Sequence, residues 1–119
     1  MTSTAPSPRG LGALAAVFAC CCAFAVPAAA APDAAAAEKL AKASGCTKCH
    51  AADKSKKGPS YQKTAAKFRG KSDAEEKLIT HLTTSPRVKF PDGTEEEHDT
   101  VDTKDAAQIR NLVQWILAQ

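Results

Sequence analysis

The hydrophobic and polar positions of residues 32–119 follow the period of an α-helix. Near the C-terminus, apolar residues recur at i, i+3, i+4, i+7 and i+8, as Ile109, Leu112, Val113, Ile116 and Leu117. A shorter apolar stripe consists of Leu78, Ile79 and Leu82, and an alanine-rich stretch around Leu40 suits close helix packing. The pattern predicts four helices, at residues 34–44, 61–68, 73–84 and 104–118.

Polar residues that can cap a helix precede each predicted helix, at Asp33, Ser60, Ser72 and Thr103. Ser72 with Glu75 three residues later forms a capping-box pattern, and Gly45 and Gly70 follow the first two helices as stop signals. Residues 85–103, with two prolines and Gly93, are predicted to form one long loop.

The first 31 residues have the pattern of a cleaved secretory signal. Arg9 precedes an uncharged apolar run over residues 11–26, Pro27 breaks that run, and alanines 28–31 offer cleavage sites. A transmembrane anchor is the alternative, but the run of about 16 residues is shorter than the roughly 20 that a spanning helix needs. A lipoprotein signal at Cys20 or Cys21 is disfavoured because Phe18 stands where a small residue is preferred. We therefore expect export to the periplasm, with no stable membrane insertion after cleavage and a mature domain of residues 32–119.

Composition narrows the class of protein. The chain has 119 residues and contains four Phe, one Trp and one Tyr, so its aromatic core is small. A domain of this size usually needs a disulfide, a metal or a cofactor for stability. A formal net charge of +3 is too small to indicate a nucleic-acid-binding protein.

Cys46-Thr47-Lys48-Cys49-His50 is a C-x-x-C-H motif, the attachment sequence of c-type haem. Cysteines three residues apart place both sulfurs at one porphyrin edge, where they add to the two vinyl groups, and the next residue faces the iron. A thioredoxin-like dithiol would need a βαβ pattern, and structural zinc would need a second ligand pair; the sequence offers neither. We therefore predict one covalently attached haem c, with His50 as an iron ligand.

Residues 34–119 resemble the class I cytochromes c, in particular the short bacterial periplasmic type. The resemblance is carried by the haem motif, by Gly58-Pro59-Ser60-Tyr61 with Ala65-Ala66-Lys67-Phe68, and by Trp115 in the last helix. It implies an all-α, cytochrome c-like fold with about four helices around one covalently bound haem. It also implies that the carbonyl of Pro59 accepts a hydrogen bond from the imidazole of His50, which fixes that ring.

The sequence departs from that family at the sixth iron ligand, which is usually a methionine. The only methionine is Met1, which leaves with the signal, whereas His98 lies within about a residue of the family's methionine position, counted back from Trp115. We predict that His50 and His98 are the two metal ligands. The alternatives are His81, Lys89 and an open position. The place of His81 on a helix favours an approach to a propionate or a position at the surface. Two imidazoles favour ferric iron, so we expect a lower potential than in methionine-ligated relatives.

Charge is unevenly distributed along the chain. Residues 39–71 hold ten basic residues and one acidic residue, whereas residues 92–105 hold seven acidic residues and one lysine. This is either a solvated surface or a basic rim that steers a redox partner protein with an acidic docking face.

The sequence contains no catalytic triad, phosphate loop or carboxylate pair, so we expect an electron carrier and not an enzyme. The alternatives are a haem-based gas sensor with a displaceable or absent sixth ligand and a haem subunit of a larger redox complex.

Overall fold

The computed structural model describes residues 1–5 and 29–119. In these residues the chain forms four α-helices and a two-stranded sheet: α1 Ala34–Ala43, α2 Tyr61–Phe68, α3 Ala74–Thr83, β1 Arg87–Lys89, β2 Glu95–Glu97 and α4 Ala106–Leu117. The predicted four-helix architecture is confirmed, with a small sheet added. Most of the predicted secretory segment, residues 6–28, lies outside the described residues. Among the described helices, none has the length and apolar character needed to cross a bilayer.

Two of the predicted helix caps are present as hydrogen bonds. The side chain of Asp33 accepts from the backbone N–H of Ala36 at 3.0 Å at the start of α1. The Ser60 hydroxyl accepts from the N–H of Lys63 at 3.1 Å at the start of α2. Each bond satisfies one of the four N–H groups that a helix N-terminus leaves unpaired. The first two helices therefore begin where the sequence predicted.

The predicted capping box at Ser72 is wrong. Helix α3 begins at Ala74 after Asp73, and no side chain caps it. The carboxylate of Glu75 instead reaches α4, where it accepts from Arg110 Nε at 2.8 Å and from Gln114 Nε2 at 3.2 Å. A tertiary ion pair has therefore replaced the local capping bond.

Helix α4 begins two residues later than predicted, because Asp105 and not Thr103 is its cap. The Asp105 carboxylate accepts from the N–H groups of Ala107 and Gln108, at 2.8 and 3.2 Å. The hydroxyl of Thr103 accepts from the N–H of Asp105 at 3.1 Å, so it orders the turn that precedes the helix.

The prediction of one long loop over residues 85–103 is partly wrong, because this segment contains a β-hairpin. Strands β1 and β2 pair antiparallel, with Val88 opposite Glu96. Gly93, with φ of +88°, closes the turn, and the N–H of Phe90 donates to the carbonyl of Thr94 at 2.8 Å. Opposite charges face each other across the strands, with Arg87 opposite Glu97 and Lys89 opposite Glu95, and Arg87 forms a diagonal ion pair with Glu95 at 3.3 Å.

The core is small and is organised around α4, which packs against α1, α2 and α3. Leu112 and Val113 on α4 are fully buried, and each contributes about 1.5–3 kcal/mol through burial. Ala37 and Ala41 on α1 are also buried, and their small side chains allow the two helices to approach closely. This scaffold leaves two long connections, residues 44–60 and 84–105, which carry the predicted site residues.

Candidate haem site

The C-x-x-C-H motif begins directly after α1. Gly45 adopts a left-handed conformation, with φ of +72°, which turns the chain out of the helix without the steric cost of a Cβ. A single 3₁₀ turn, Cys46–Lys48, follows, and the carbonyl of Cys46 accepts from the N–H groups of Cys49 and His50. The local hydrogen bonds therefore fix the spacing of the two cysteines and His50.

Cys46 and Cys49 are free thiols, and both are half-buried. Burial raises the pKa of the Cys46 thiol, and the negative charge of Asp99 acts in the same direction. The structure contains no disulfide between them, and both sulfurs are free to form thioethers. Among the described residues, no group of three or more His, Cys, Asp or Glu side chains is placed to hold a metal ion.

His50 is held by the loop that follows it. Its Nδ1 lies 2.7 Å from the carbonyl oxygen of Pro59. Because a carbonyl can only accept, Nδ1 carries the proton and Nε2 is left with a free lone pair. The loop itself is anchored by the N–H of Gly58, which donates to the carbonyl of Cys49 at 2.8 Å. The hydrogen bond that the family resemblance implied between Pro59 and His50 is therefore present in the structure.

His98 is held in a similar way on the other segment. Its Nδ1 lies 2.7 Å from the carbonyl oxygen of Asp99, so Nδ1 donates and Nε2 is again free. The backbone N–H of His98 donates to the carbonyl of Pro86 at 2.9 Å, which fixes the residue immediately after strand β2. Burial lowers the pKa of the His98 imidazole and favours the neutral form that can bind a metal.

The rings of His50 and His98 lie 6.0 Å apart between centroids, with an angle of 45° between their planes. When two imidazoles bind one metal ion, each bond from nitrogen to metal is about 2.0 Å long. With about half a ring added at each end, the two ring centroids are then about 6 Å apart. The observed separation of the His50 and His98 rings is equal to this distance.

His81, one of the alternative ligands named from the sequence, also lies at this site. Its ring contacts that of His98 edge-on, at 4.4 Å between centroids, and the residue is half-buried. Burial lowers the pKa of His81, and the neighbouring His98, His50 and Lys67 lower it further. Lys89, the other alternative ligand, is exposed on strand β1.

Tyr61 is a further residue of the site, which the predicted set of binding residues omitted. Its buried ring stacks on His50 at 5.8 Å and meets Trp115 edge-on at 5.2 Å. Its hydroxyl has no hydrogen-bond partner among the described residues, and burial raises its pKa to about 12. A cleft of about 200 Å³ opens between Tyr61, Trp115 and His50, with residues of α1 on its far side. This arrangement provides an apolar wall beside the motif.

Four helices, a C-x-x-C-H turn and two imidazoles 6.0 Å apart beside it are the features of a small c-type haem protein. The sequence profile described as Cytochrome c matches residues 34–119. The chain belongs to the cytochrome c family, whose members carry electrons, and its cofactor is one covalently attached haem c.

Related proteins and solved structures agree with this assignment. The chain is 35% identical over 83 residues to cytochrome c-551 of Allochromatium vinosum, covering 66% of this chain and 80% of that protein. It is 31% identical over 81 residues to cytochrome c-552 of Hydrogenobacter thermophilus, covering 68% and 79%. The crystal structure of the class 1 cytochrome MtoD from Sideroxydans lithotrophicus ES-1 superposes with a TM-score of 0.71 at 54% identity, covering 74% of this chain and 97% of that one. Cytochrome c552 of Nitrosomonas europaea superposes with a TM-score of 0.53 at 26% identity, covering 67% and 95%.

Proposed function

We propose that this protein is an exported one-electron carrier whose haem iron is ligated by His50 and His98. The observation that carries the proposal is the 6.0 Å separation of these two rings, each with its Nδ1 hydrogen-bonded to a backbone carbonyl. Cys46 and Cys49 are the thioether attachment points, since they lie one 3₁₀ turn apart immediately before His50.

The backbone carbonyls of Pro59 and Asp99 have the same role on the two sides of the iron. Each accepts the Nδ1 proton of one histidine, which fixes the tautomer and the ring orientation and raises the basicity of Nε2. Two firmly held protein ligands allow the iron to change charge with little movement of the protein. This rigidity suits electron transfer, in which the haem supplies the redox chemistry and the protein supplies orientation and electrostatics.

The ligand pair also determines whether the midpoint potential lies above or below that of methionine-ligated cytochromes c. A thioether favours ferrous iron, whereas an imidazole donates more strongly and favours ferric iron. We therefore expect a midpoint potential below that of methionine-ligated cytochromes c. Asp99 adds negative charge beside His98 and acts in the same direction, although its exposed position allows solvent and salt to screen it.

The decisive experiment compares absorption and electron paramagnetic resonance spectra of the ferric protein and of its His98→Ala variant. The wild type should be low-spin, and His98→Ala should lose that signature because the iron loses its sixth ligand. His81→Ala is the matched control, since it removes the neighbouring imidazole, and it should stay low-spin. A His98→Ala protein that stays low-spin, together with a His81→Ala protein that becomes high-spin, would refute the assignment.

Carbon monoxide separates the carrier from the gas sensor. A carrier with His98 firmly bound should react slowly with carbon monoxide in the ferrous state, because the histidine must leave first. Rapid, tight binding would indicate a sensor with an open or easily displaced position. Co-purification with a larger partner from the native organism would instead indicate a subunit of a redox complex.

Export to the periplasm is part of this proposal, supported by the signal pattern of residues 1–31.

Docking to an acidic face of a redox partner is supported by the ten basic residues between residues 39 and 71, of which Lys48, Lys54 and Lys56 are exposed beside the haem motif. Electron-transfer rates with the physiological partner should fall steeply as ionic strength rises. Rates that do not depend on salt would contradict the docking surface but leave the ligand assignment intact.

A further inference from the structure

Lys57 connects the two segments that carry the proposed iron ligands. Its Nζ lies 2.6 Å from the Glu96 carboxylate, on strand β2, and 4.4 Å above the centre of the Phe90 ring, at the hairpin turn. The hydrogen bond from Lys57 to Glu96 raises the pKa of the lysine, so the ammonium stays charged. We refer to Lys57, Phe90 and Glu96 as the Lys57 clamp.

One end of the Lys57 clamp is close in sequence to the loop that holds His50, and the other end is close in sequence to His98. Lys57 immediately precedes Gly58, which lies against the His50 ring and is hydrogen-bonded to Cys49. Glu96 is two residues before His98, on the same strand segment. A change in the position of the hairpin therefore moves His98 relative to His50.

The hairpin has few other connections to the body of the protein. In the described part of the chain, no helix packs extensively against strands β1 and β2, and the Arg87–Glu95 ion pair is internal to the hairpin. Among the ion pairs of the described residues, the pair between Lys57 and Glu96 is the one that joins the hairpin to another segment. Without it, the hairpin would be restrained mainly through its two chain ends.

We infer that Lys57 is a positioning residue: by clamping the hairpin to the loop that supports His50, it keeps His98 on the iron and limits access of external ligands. This inference rests on the proposed ligation by His98. The bond that opens is the one between iron and His98 Nε2, and the proton on Nδ1 stays in its hydrogen bond to Asp99. In the closed arrangement the hairpin is held against the loop of Lys57, and in the open arrangement it has moved away from that loop. The Lys57 clamp lowers the population of the open arrangement, because the ion pair and the cation–π contact exist only in the closed one.

The test measures carbon monoxide binding to the reduced holoprotein by stopped flow. At saturating carbon monoxide the observed rate reaches a limit equal to the rate at which His98 leaves the iron. Lys57→Met keeps an unbranched side chain of similar length but removes the charge, and we expect it to raise the limiting rate about two- to fivefold, the range that an exposed ion pair supports. Glu96→Gln should raise the rate similarly, and Lys57→Arg should restore it.

Lys77→Met is the matched control, because Lys77 forms an exposed ion pair with Asp73 at the start of α3, at 2.7 Å and away from the hairpin. It removes the same charge and should leave the limiting rate unchanged. A Lys57→Met rate equal to that of Lys77→Met overturns the proposed role of the clamp. That result does not contradict ligation by His98, provided that the wild type is low-spin. A wild type whose rate rises linearly with carbon monoxide, without a limit, overturns His98 ligation and the clamp together.

Discussion

Gly58 lies so close to the imidazole of His50 that no side chain fits between them. A Cβ on Gly58 would lie 2.8 Å from Nδ1 and 3.0 Å from Nε2, closer than packed carbon and nitrogen atoms approach. This close approach lets the loop pass along the ring, so that the next carbonyl, that of Pro59, reaches Nδ1. The glycine is therefore required by the packing of the site and not by an unusual backbone angle.

We expect Gly58→Ala to destabilise the holoprotein by about 1–3 kcal/mol, the usual cost of forcing a methyl group into a packed site. The displaced ring should also lose its bond to Pro59, so the ferric spectrum should change. Denaturant unfolding and the absorption spectrum measure both effects. Gly70→Ala is the control: Gly70 has φ of +75° with open space around it, so alanine there should cost stability without altering the spectrum. An unchanged spectrum in Gly58→Ala would contradict this role.

The sequence was sufficient to locate the helices and the haem motif, because both depend on local spacing. The helical period around Leu112 and the three-residue spacing of Cys46 and Cys49 depend on no distant contact. The predicted cap at Ser72 failed because Glu75 is held by α4, a contact that depends on how the helices pack. The contact of His81 with His98 also depends on how the helices pack, so the sequence could name His81 only as an alternative ligand.

The β-hairpin was missed because its strands lack the usual β pattern. Each strand has three residues and is mostly charged, and only Val88 is apolar. The signal that was present is Pro91-Asp92-Gly93, a turn sequence between two segments of opposite charge. That signal predicts the turn, but the pairing of strands this short is determined by the complete fold.

Tyr61 should make stability depend on alkaline pH. Its pKa is raised to about 12 in the folded protein, above the value of 10.0 for an ordinary tyrosine. Below about pH 10 both states keep the proton and its contribution is complete; between 10 and 12 the unfolded chain ionises first, so stability is lost as pH rises. We expect the wild type to lose about 2 kcal/mol over this range relative to Tyr61→Phe, as measured by denaturant unfolding at several pH values.

Tyr61 is the only tyrosine, so the ultraviolet absorbance of its phenolate reports its ionisation directly. The titration should have its midpoint near pH 12 in the folded protein. A midpoint near 10, or a stability difference from Tyr61→Phe that does not change with pH, would show that the ring is not buried against His50 as described.

Asn111 should be important for stability although it lies far from the haem motif. Its side-chain oxygen accepts from the N–H of Asp33 at 2.8 Å, and its Nδ2 donates to the carbonyl of Asp33 at 2.9 Å. This pair of bonds joins α4 to the start of α1. We expect Asn111→Ala to lower the free energy of unfolding by about 1–3 kcal/mol for two lost hydrogen bonds. Gln108→Ala, exposed on the same helix, should change it by less than about 0.5 kcal/mol, and equal effects would contradict the prediction.

His98→Met tests how the ligand sets the potential, because it supplies the thioether that this chain lacks beyond Met1. A sulfur ligand favours ferrous iron, so the midpoint potential should rise. We expect a rise of at least about 60 mV, which is a tenfold change in the equilibrium constant of a one-electron couple. Protein-film voltammetry measures the potential, and the absorption band characteristic of sulfur–iron bonding verifies that the introduced thioether has bound. If that band is present and the potential does not rise, the second imidazole is not what lowers the potential of the wild type, and the charge around the site would be the remaining physical cause.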